Sequence, residues 1–518
     1  MICPSTQGGA RRVDTPLDDL PLESAASTRL LEQHLREGPA PDNALQAQAG
    51  LSLARWIRAW APHARHVVVA CGPGGNGGDG LYACAYLREA GIHARAWLVQ
   101  RAFTSAQGQD RALAAAVAAG ALISHHAPSQ EPVDVVVDAI LGIGARIPLG
   151  GAIEDAVQVL NTYRKLGVTV LAADIPTGLG ADQGAVTDNA VCAHATLSLL
   201  TLKPGLFTAS GRRFSGDIWW DPLIGRDSMA SPPRAWLTGL NQVLSTHRRR
   251  EATDHKGSMG DVLVVGGAAG MWGAAWLAAS AAHGAGSGRV FVYWLSDTAP
   301  RDPSRPEIMH STSPLKPGDP AQASRLTVVC GCGGGQEIGE VLPWVLAHSP
   351  RLVLDADALN AVANDSQLQA QLRLRHGRQR PTVLTPHPLE AARLLNCTVK
   401  QVQSERLGCA QQLADQLQCT VVLKGSGTVI ASPDQIPRIN PTGSATLASP
   451  GTGDVLAGWL GGAWSQMPLS EPVDLAGAAV WLHGLAGQLA PVGSRQSYQA
   501  LELISQMRIL RDQWLNVP

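Results

Sequence analysis

Apolar positions along the chain follow two spacings. Short unbroken apolar runs predict buried strands, and longer stretches with apolar residues at every third or fourth position predict helices. In the first half, His66–Cys71, Ala94–Val99, Val133–Ile140, Val168–Ala173 and Ala195–Leu202 read as strands. Leu30–His34, Ala44–Trp60, Leu81–Ala90, Ser105–Ala119 and Ile153–Leu166 read as helices. Such alternation implies a parallel sheet with helices on both faces. Residues 1–24 carry no comparable pattern and read as a flexible tail.

The pattern then breaks. Ser231-Pro232-Pro233 and the run Arg248-Arg249-Arg250 mark residues 231–250 as a linker with a solvated basic face. A second series follows Asp254-His255-Lys256-Gly257. Its strands are Asp261–Val265, Val290–Trp294, Leu326–Val329, Arg351–Leu354, Thr382–Leu384 and Thr420–Leu423. Its clearest helices are Trp272–His283 and Ala476–Ala490. Val262–Gly288 lacks any Asp, Glu, Lys or Arg and is long enough for a membrane span. Its glycines, with Ser280, His283 and Ser287, instead divide it into strand, loop and helix. The halves share no visible sequence similarity. The expectation is an α/β protein of two three-layer αβα domains, 25–230 and 251–518.

Composition agrees with two domains. The 518 residues exceed one ordinary core. Hydrophobics at 45% and charged residues at 16% describe a packed chain, not a disordered one. With 41 basic and 42 acidic residues there is no basic surplus for nucleic acid or an anionic membrane. The nine cysteines are scattered and odd in number, as expected of reduced thiols in the cytoplasm. Cys330 and Cys332 form the one close pair, and without a second pair no metal site is expected there. The N-terminus lacks the apolar core of a signal peptide.

Candidate chemistry falls at the carboxyl ends of the strands, where such sheets bind ligands. In the first half these are the run Gly72–Gly80, Asp138, Asp174-Ile175-Pro176-Thr177-Gly178 and Lys203-Pro204-Gly205. In the second they are Cys330–Gly335, Asp355-Ala356-Asp357, Thr385–Glu390 and Lys424–Thr428. Gly451-Thr452-Gly453-Asp454 then opens an apolar helix. Free N–H groups and the positive end of a helix bind anions such as phosphate. Asp454 there is either a helix cap or a base beside a phosphate hole, and this stretch alone leaves both open.

The order of these loops resembles a known family. His255–Gly257, Gly270–Ala274, Arg305–Met309, Asp355–Asn360, Thr385–Glu390, Lys424–Thr428, Asn440–Gly443 and Gly451–Asp454 resemble the ADP/ATP-dependent NAD(P)H-hydrate dehydratase family, a branch of the ribokinase-like fold. Cys71–Leu81, Val137–Gly144, Asp174–Leu179 and Lys203–Leu206 resemble the NAD(P)H-hydrate epimerase domain, which is Rossmann-like. Fused in this order, the halves look like the bifunctional NAD(P)H-hydrate repair family.

The resemblance implies a chemistry. NADH or NADPH hydrated on the nicotinamide ring carries a C6 hydroxyl as two epimers. The first domain would interconvert them. The second would phosphorylate the S epimer from ADP and eliminate phosphate, restoring NAD(P)H. Asp454 would be the general base, Gly451–Gly453 the anion hole, and Lys424, Gly425, Ser426, Gly427, Thr428 and Gly453 the ADP site. Ala274, Gly333 and His387 carry over as hydrate-binding positions. Mg²⁺ is expected with the nucleotide. In the epimerase half, Gly75, Asn76, Gly77, Gly78 and Asp79, with Gly142, Ile143, Gly144, Ala145, Arg146, Ile147 and Pro148, would cradle the dinucleotide. Asp174 would touch substrate as acid/base, with Lys203 a second candidate. Asn76, Asp138 and Thr177 would hold potassium. Asp355 and Asp357 carry no assigned role. A homo-oligomer is expected, with no nucleic-acid or membrane partner.

This chain departs from the family pattern in places. Gly75 stands where an Asn is usual, Cys332 interrupts a Gly-Pro-Gly-Leu-Gly turn, and Leu389 replaces a Gly. Ala47-Gln48-Ala49-Gly50 replaces Glu-Arg-Ala-Gly. The rival reading is a ribokinase-like kinase of a vitamin precursor, with a nucleotide-binding first half that lacks turnover.

Overall fold

The computed structural model describes residues 9–37, 44–100, 109–128, 132–145, 148–186, 189–223, 232–297, 305–313, 325–490 and 498–515. The chain forms two compact units. One comprises Met1–Pro16 and Leu20–Ala235, the other Leu17–Asp19 and Trp236–Pro518.

The first unit has strands β1 (Arg11–Arg12), β2 (Leu20–Leu22), β3 (His66–Cys71), β4 (His93–Leu98), β5 (Leu122–Ser124), β6 (Val135–Ala139), β7 (Thr169–Ala173), β8 (Ala195–Leu199) and β9 (Asp217–Asp221). Its sheet runs β1-β9-β8-β7-β6-β3-β4-β5. All pairs are parallel except β1 with β9. Chain order reverses between β6 and β3, and open α/β sheets bind ligands at such a switch point. The apolar runs form this core as expected, with Val69, Val137 and Leu171 fully buried.

Two expectations fail at the domain edges. Within 9–24 the chain is not a flexible tail. β1 pairs with β9 in the register Arg11↔Trp220, and Leu22 bridges Leu202. Val13, Leu20 and Leu22 are buried, and their burial secures strands too short to show a period. Nor is 231–250 only a linker. β10 (Ala235–Leu237) pairs in parallel with β19 (Arg438–Ile439), and Leu240–Ser245 is helical. Arg248 and Arg250 are hydrogen-bonded to backbone carbonyls of the second unit.

The second unit continues with β11 (Asp261–Gly266), β12 (Arg289–Trp294), β13 (Ile308–His310), β14 (Leu326–Cys330), β15 (Arg351–Leu354), β16 (Thr382–Leu384), β17 (Thr420–Leu423) and β18 (Val429–Ala431). They lie in the order β13-β12-β11-β14-β15-β16-β17-β18-β19-β10, parallel from β13 to β17 and antiparallel from β17 to β19. Helix Thr452–Gln466 packs on helix Trp272–Ala285. A side chain at Gly458 would come within 2.0 Å of the Ala278 oxygen, so glycine is what permits the approach. That contact fixes where the turn Gly451–Asp454 points. The uncharged stretch Val262–Gly288 is therefore β11, a loop and a buried helix. Among the described residues no helix is long and apolar enough to cross a membrane.

Candidate active sites

In the first unit the glycine run after β3 is a loop only over Gly72–Gly74, and from Gly75 it opens the helix Gly75–Glu89. Glycine is required there by crowding. A Cβ at Gly77 would lie 1.9 Å from the Gly72 oxygen, and one at Gly78 would lie 2.1 Å from the Gln46 amide nitrogen. Gly75 faces open space, and its carbonyl accepts from Gln46.

Asn76 in this turn is buried. Its amide nitrogen donates to the Ala173 oxygen at 3.3 Å, and its Oδ1 has no partner among the described residues. Asp138, at the end of β6, is fully buried. It accepts from the Thr177 amide and hydroxyl, both at 2.7 Å, and from the Ile140 amide at 3.1 Å. Burial nonetheless pushes its carboxyl up to about 6. Thr177 meets Asp138, and Asn76 reaches the end of β7, because β3, β6 and β7 are neighbours.

Asp174 follows β7 with φ 64°, a left-handed conformation that Asp tolerates better than most residues. Its amide donates to the Leu197 oxygen at 2.7 Å. Its carboxylate is paired with Lys203, which is itself fully buried. Lys203 Nζ also donates to the Leu199 and Thr201 oxygens, each at 2.8 Å, and lies 3.3 Å from Ser198 Oγ. A Cβ at Gly142 would stand 3.3 Å from Asp174 Oδ2, which places the Gly142 loop over this pair. In that loop Ala145 donates to Gly142 and Arg29 holds the Ile143 oxygen. Gly144 adjoins Arg29. Arg146 and Ile147 lie outside the described residues; Pro148 lies within them. Sequence reasoning missed Glu32. Burial pushes the Glu32 and Asp79 carboxyls up and Asp174 adds to both, while Lys203 and Arg36 pull down.

In the second unit helix Thr452–Gln466 begins at Gly451, which has φ 86° and no side-chain cap. Asp454 therefore does not cap the helix. It sits within the first turn, on the side of Cys332 and Asp355. Oxygens of both carboxylates and the Cys332 sulfur lie within 4.8 Å of one another. Burial, then Asp355, push the Asp454 carboxyl up to about 6; Cys332 and Lys424 pull the other way. The Cys332 thiol is held well above its usual range by burial and by these carboxylates.

Lys424 Nζ donates to Asp355 Oδ1 at 2.7 Å, and Thr385 Oγ1 donates to the same oxygen at 2.8 Å. A Cβ at Gly453 would lie 3.4 Å from Lys424 Nζ, so the pair sits directly under the turn. Between the two aspartates Ala356 has φ 50°, a strained value for Ala. The kink lets Asp355 face Lys424 while Asp357 Oδ2 accepts from the Gly335 amide at 2.9 Å. Arg406, buried, donates to the Leu423 oxygen at 3.0 Å and the Lys424 oxygen at 3.2 Å. It packs beneath Gly425, whose φ is 138°. Thr428 closes the loop onto the Gly425 oxygen.

Gly333, at φ 59°, would place a Cβ 3.0 Å from that of Ala274, so these two positions adjoin beside Cys332. His387 caps the helix Pro388–Leu395 through Nδ1, and its Nε2 lies 3.2 Å from Glu390 Oε1. Burial pushes the Glu390 carboxyl up to about 7. His483 is a further residue without a sequence signal. It is buried in an apolar helix, its Nε2 bonds to the Thr452 oxygen at 2.9 Å, and burial pushes it down to about 4. This bond ties the ring to the Gly451–Asp454 turn from behind. His255–Gly257, by contrast, does not join the site. It precedes β11 and packs on Gly288 before β12, at the amino end of the strands.

Each unit thus has the architecture of a nucleotide-handling αβα enzyme domain, with buried charge at its strand ends. Comparisons with known proteins agree. The family model described as NAD(P)H-hydrate dehydratase matches residues 262–508, and that described as YjeF-related protein N-terminus matches 42–205. A bifunctional NAD(P)H-hydrate repair enzyme of Escherichia coli is 34% identical over 86% of this chain and 84% of its own. One from Coxiella burnetii is 33% identical over 93% of this chain and 97% of its own. A solved ADP/ATP-dependent NAD(P)H-hydrate dehydratase from Bacillus subtilis, co-crystallised with ATP and Mg²⁺, is 30% identical over 52% of this chain and 96% of its own, with a TM-score of 0.44. The chain belongs to the bifunctional NAD(P)H-hydrate repair enzyme family.

Proposed function

We propose that the first unit epimerises hydrated NADH and NADPH at C6 and that the second dehydrates the S epimer with ADP. The observation that carries this is Asp454: a carboxylate pushed up to about 6, in the first turn of an uncapped glycine-led helix, above a Lys–Asp pair. A base is most effective when its pKa is near the working pH, and such a group contributes about 10²–10⁴-fold.

In the second unit Asp454 takes the proton of the C6 hydroxyl. The hydroxyl oxygen attacks the terminal phosphorus of ADP, and AMP leaves. The Gly451–Gly453 amides and Lys424 receive the charge on the transferred group, a contribution of about 3–4 kcal/mol per donor. Loss of phosphate from C6 and of a proton from C5 then restores the ring double bond. Mg²⁺ would enter with the nucleotide and neutralise its phosphates. Asp357 is the hard oxygen donor that fits it, since its second carboxylate oxygen has no partner among the described residues. Ala274, Gly333 and His387 would line the hydrate side.

In the first unit Asp174 serves as acid/base at the C6 hydroxyl, protonating it as water leaves to give the N1–C6 iminium and deprotonating the water that returns to the other face, and Lys203 holds Asp174 in place. The dinucleotide would lie across Gly75–Asp79 and the loop from Gly142. Potassium fits Asn76, Asp138 and Thr177: the orphaned Asn76 oxygen is a ready ligand, and a cation would offset the buried Asp138 charge. The cytoplasm suits the eight described cysteines, all of which are free.

The vitamin-precursor kinase reading has no support among relatives named for hydrate repair. Incubation with mixed hydrate epimers, ADP, Mg²⁺ and K⁺ separates the readings. Full recovery of NAD(P)H absorbance is expected. A stop at the S fraction would refute the epimerase, and a stable phosphorylated product would refute the dehydratase.

A further inference from the structure

The second unit holds a cavity of ≈ 630 Å³ far from Asp454. Its walls include Arg248, Arg249, Arg250, Arg508 and Arg511, and the carboxyl ends of helices Trp272–Ala285 and Thr452–Gln466. The one carboxylate among its lining residues, Asp512, is taken up by Arg511. The chain as a whole has no basic surplus, 41 against 42, so this concentration is local.

Three of the arginines have structural work. Arg250 donates to the Gly286 oxygen and Arg511 to the Gly284 oxygen, each at 2.7 Å. These contacts satisfy carbonyls at a helix end, where cations are favoured. Arg248 holds the Ser258 oxygen at 2.9 Å and pairs with Asp254. Arg249 and Arg508 are different. Both are exposed, and neither makes a hydrogen bond or ion pair among the described residues. Two unpaired guanidinium groups in a wall of like charge repel one another unless an anion joins them. The field is felt nearby: burial lowers the His283 ring, and Arg508, Arg305 and Arg250 lower it further against Glu307.

The volume is that of a small-molecule site, and the half-buried His247 ring lies beside the charges. Arginine's planar fork suits phosphate oxygens in pairs. We infer that this cavity is a second anion site, taking a metabolite of nucleotide size that carries two or more phosphates. It is distinct from the catalytic turn. The two lie at opposite ends of helix Thr452–Gln466, whose 15 residues span roughly 22 Å.

The test is titration calorimetry of the full chain with inorganic tripolyphosphate in the absence of nucleotide. One equivalent that depends on Arg249 and Arg508 is expected to bind. The double variant R249Q/R508Q should weaken it by about tenfold or more, with ADP turnover unchanged. The single variants R249Q and R508Q serve if the double variant misfolds, each giving a smaller loss in the same direction. Absence of binding to the nucleotide-free chain would overturn the inference. So would an affinity unchanged in every variant.

Discussion

Each unit buries a lysine against an aspartate at its strand ends, yet the two pairs are built differently. Lys203 Nζ has four acceptors for three protons: Asp174, Leu199, Thr201 and Ser198. It has nothing left to offer a ligand. Lys424 Nζ is bonded to Asp355 and, among the described residues, to nothing else. Two of its protons remain for phosphate oxygens beneath Gly453. On the proposed mechanism the first lysine therefore positions Asp174 as the acid/base. On the same reading the second aspartate positions its lysine, and the base is a third group, Asp454. The same pair serves opposite roles because one lysine is saturated by backbone and the other is not.

That contrast can be broken at Asp454 first. Asp454→Asn should lower ADP-driven recovery of NAD(P)H by about 10²–10⁴-fold and leave epimerisation of the hydrate, followed by chromatography, intact. Equal loss of both activities would sink the division of labour. Lys203→Met should show the structural side. Removing one member of a buried pair costs about 3–5 kcal/mol, so the first unit should unfold earlier in denaturant, and epimerisation should fail with it. Lys424→Met should act on turnover with ADP much more than on stability. The pH profiles sharpen the comparison further. Dehydratase turnover needs ionised Asp454, so it should fall about tenfold per unit below about 6. Lys424 helps hold that carboxyl down, so Lys424→Met should move the limb upward in whatever turnover remains. The smallest effect expected is ionic. Replacing K⁺ by a bulky organic cation should slow epimerisation and leave the dehydratase rate unchanged.

How much of this was legible in the sequence follows from where each signal lies. Strands β6, β7, β15 and β17 are largely apolar runs, and their ends located Asp138, Asp174, Asp355 and Lys424. The start of helix Gly75–Glu89 was not legible. Its first four residues are Gly75, Asn76, Gly77 and Gly78, poor helix formers, and the close approach of the Gly72 oxygen explains Gly77 alone. Arg406 and His483 left no trace because each works through backbone oxygens contributed by distant segments. Strands β1 and β10 are too short for any period and depend on partners far along the chain. The resemblance supplied the roles of Ala274 and Gly333. The structure adds that they touch, with Cys332 beside them.

Cys332 has a consequence of its own. A thiol beside Asp454 would be an obvious target for oxidants. Sulfur is attacked as thiolate. Here the two carboxylates and complete burial keep the proton on sulfur. The burial and the Asp355 charge that raise Asp454 thus also passivate its neighbour.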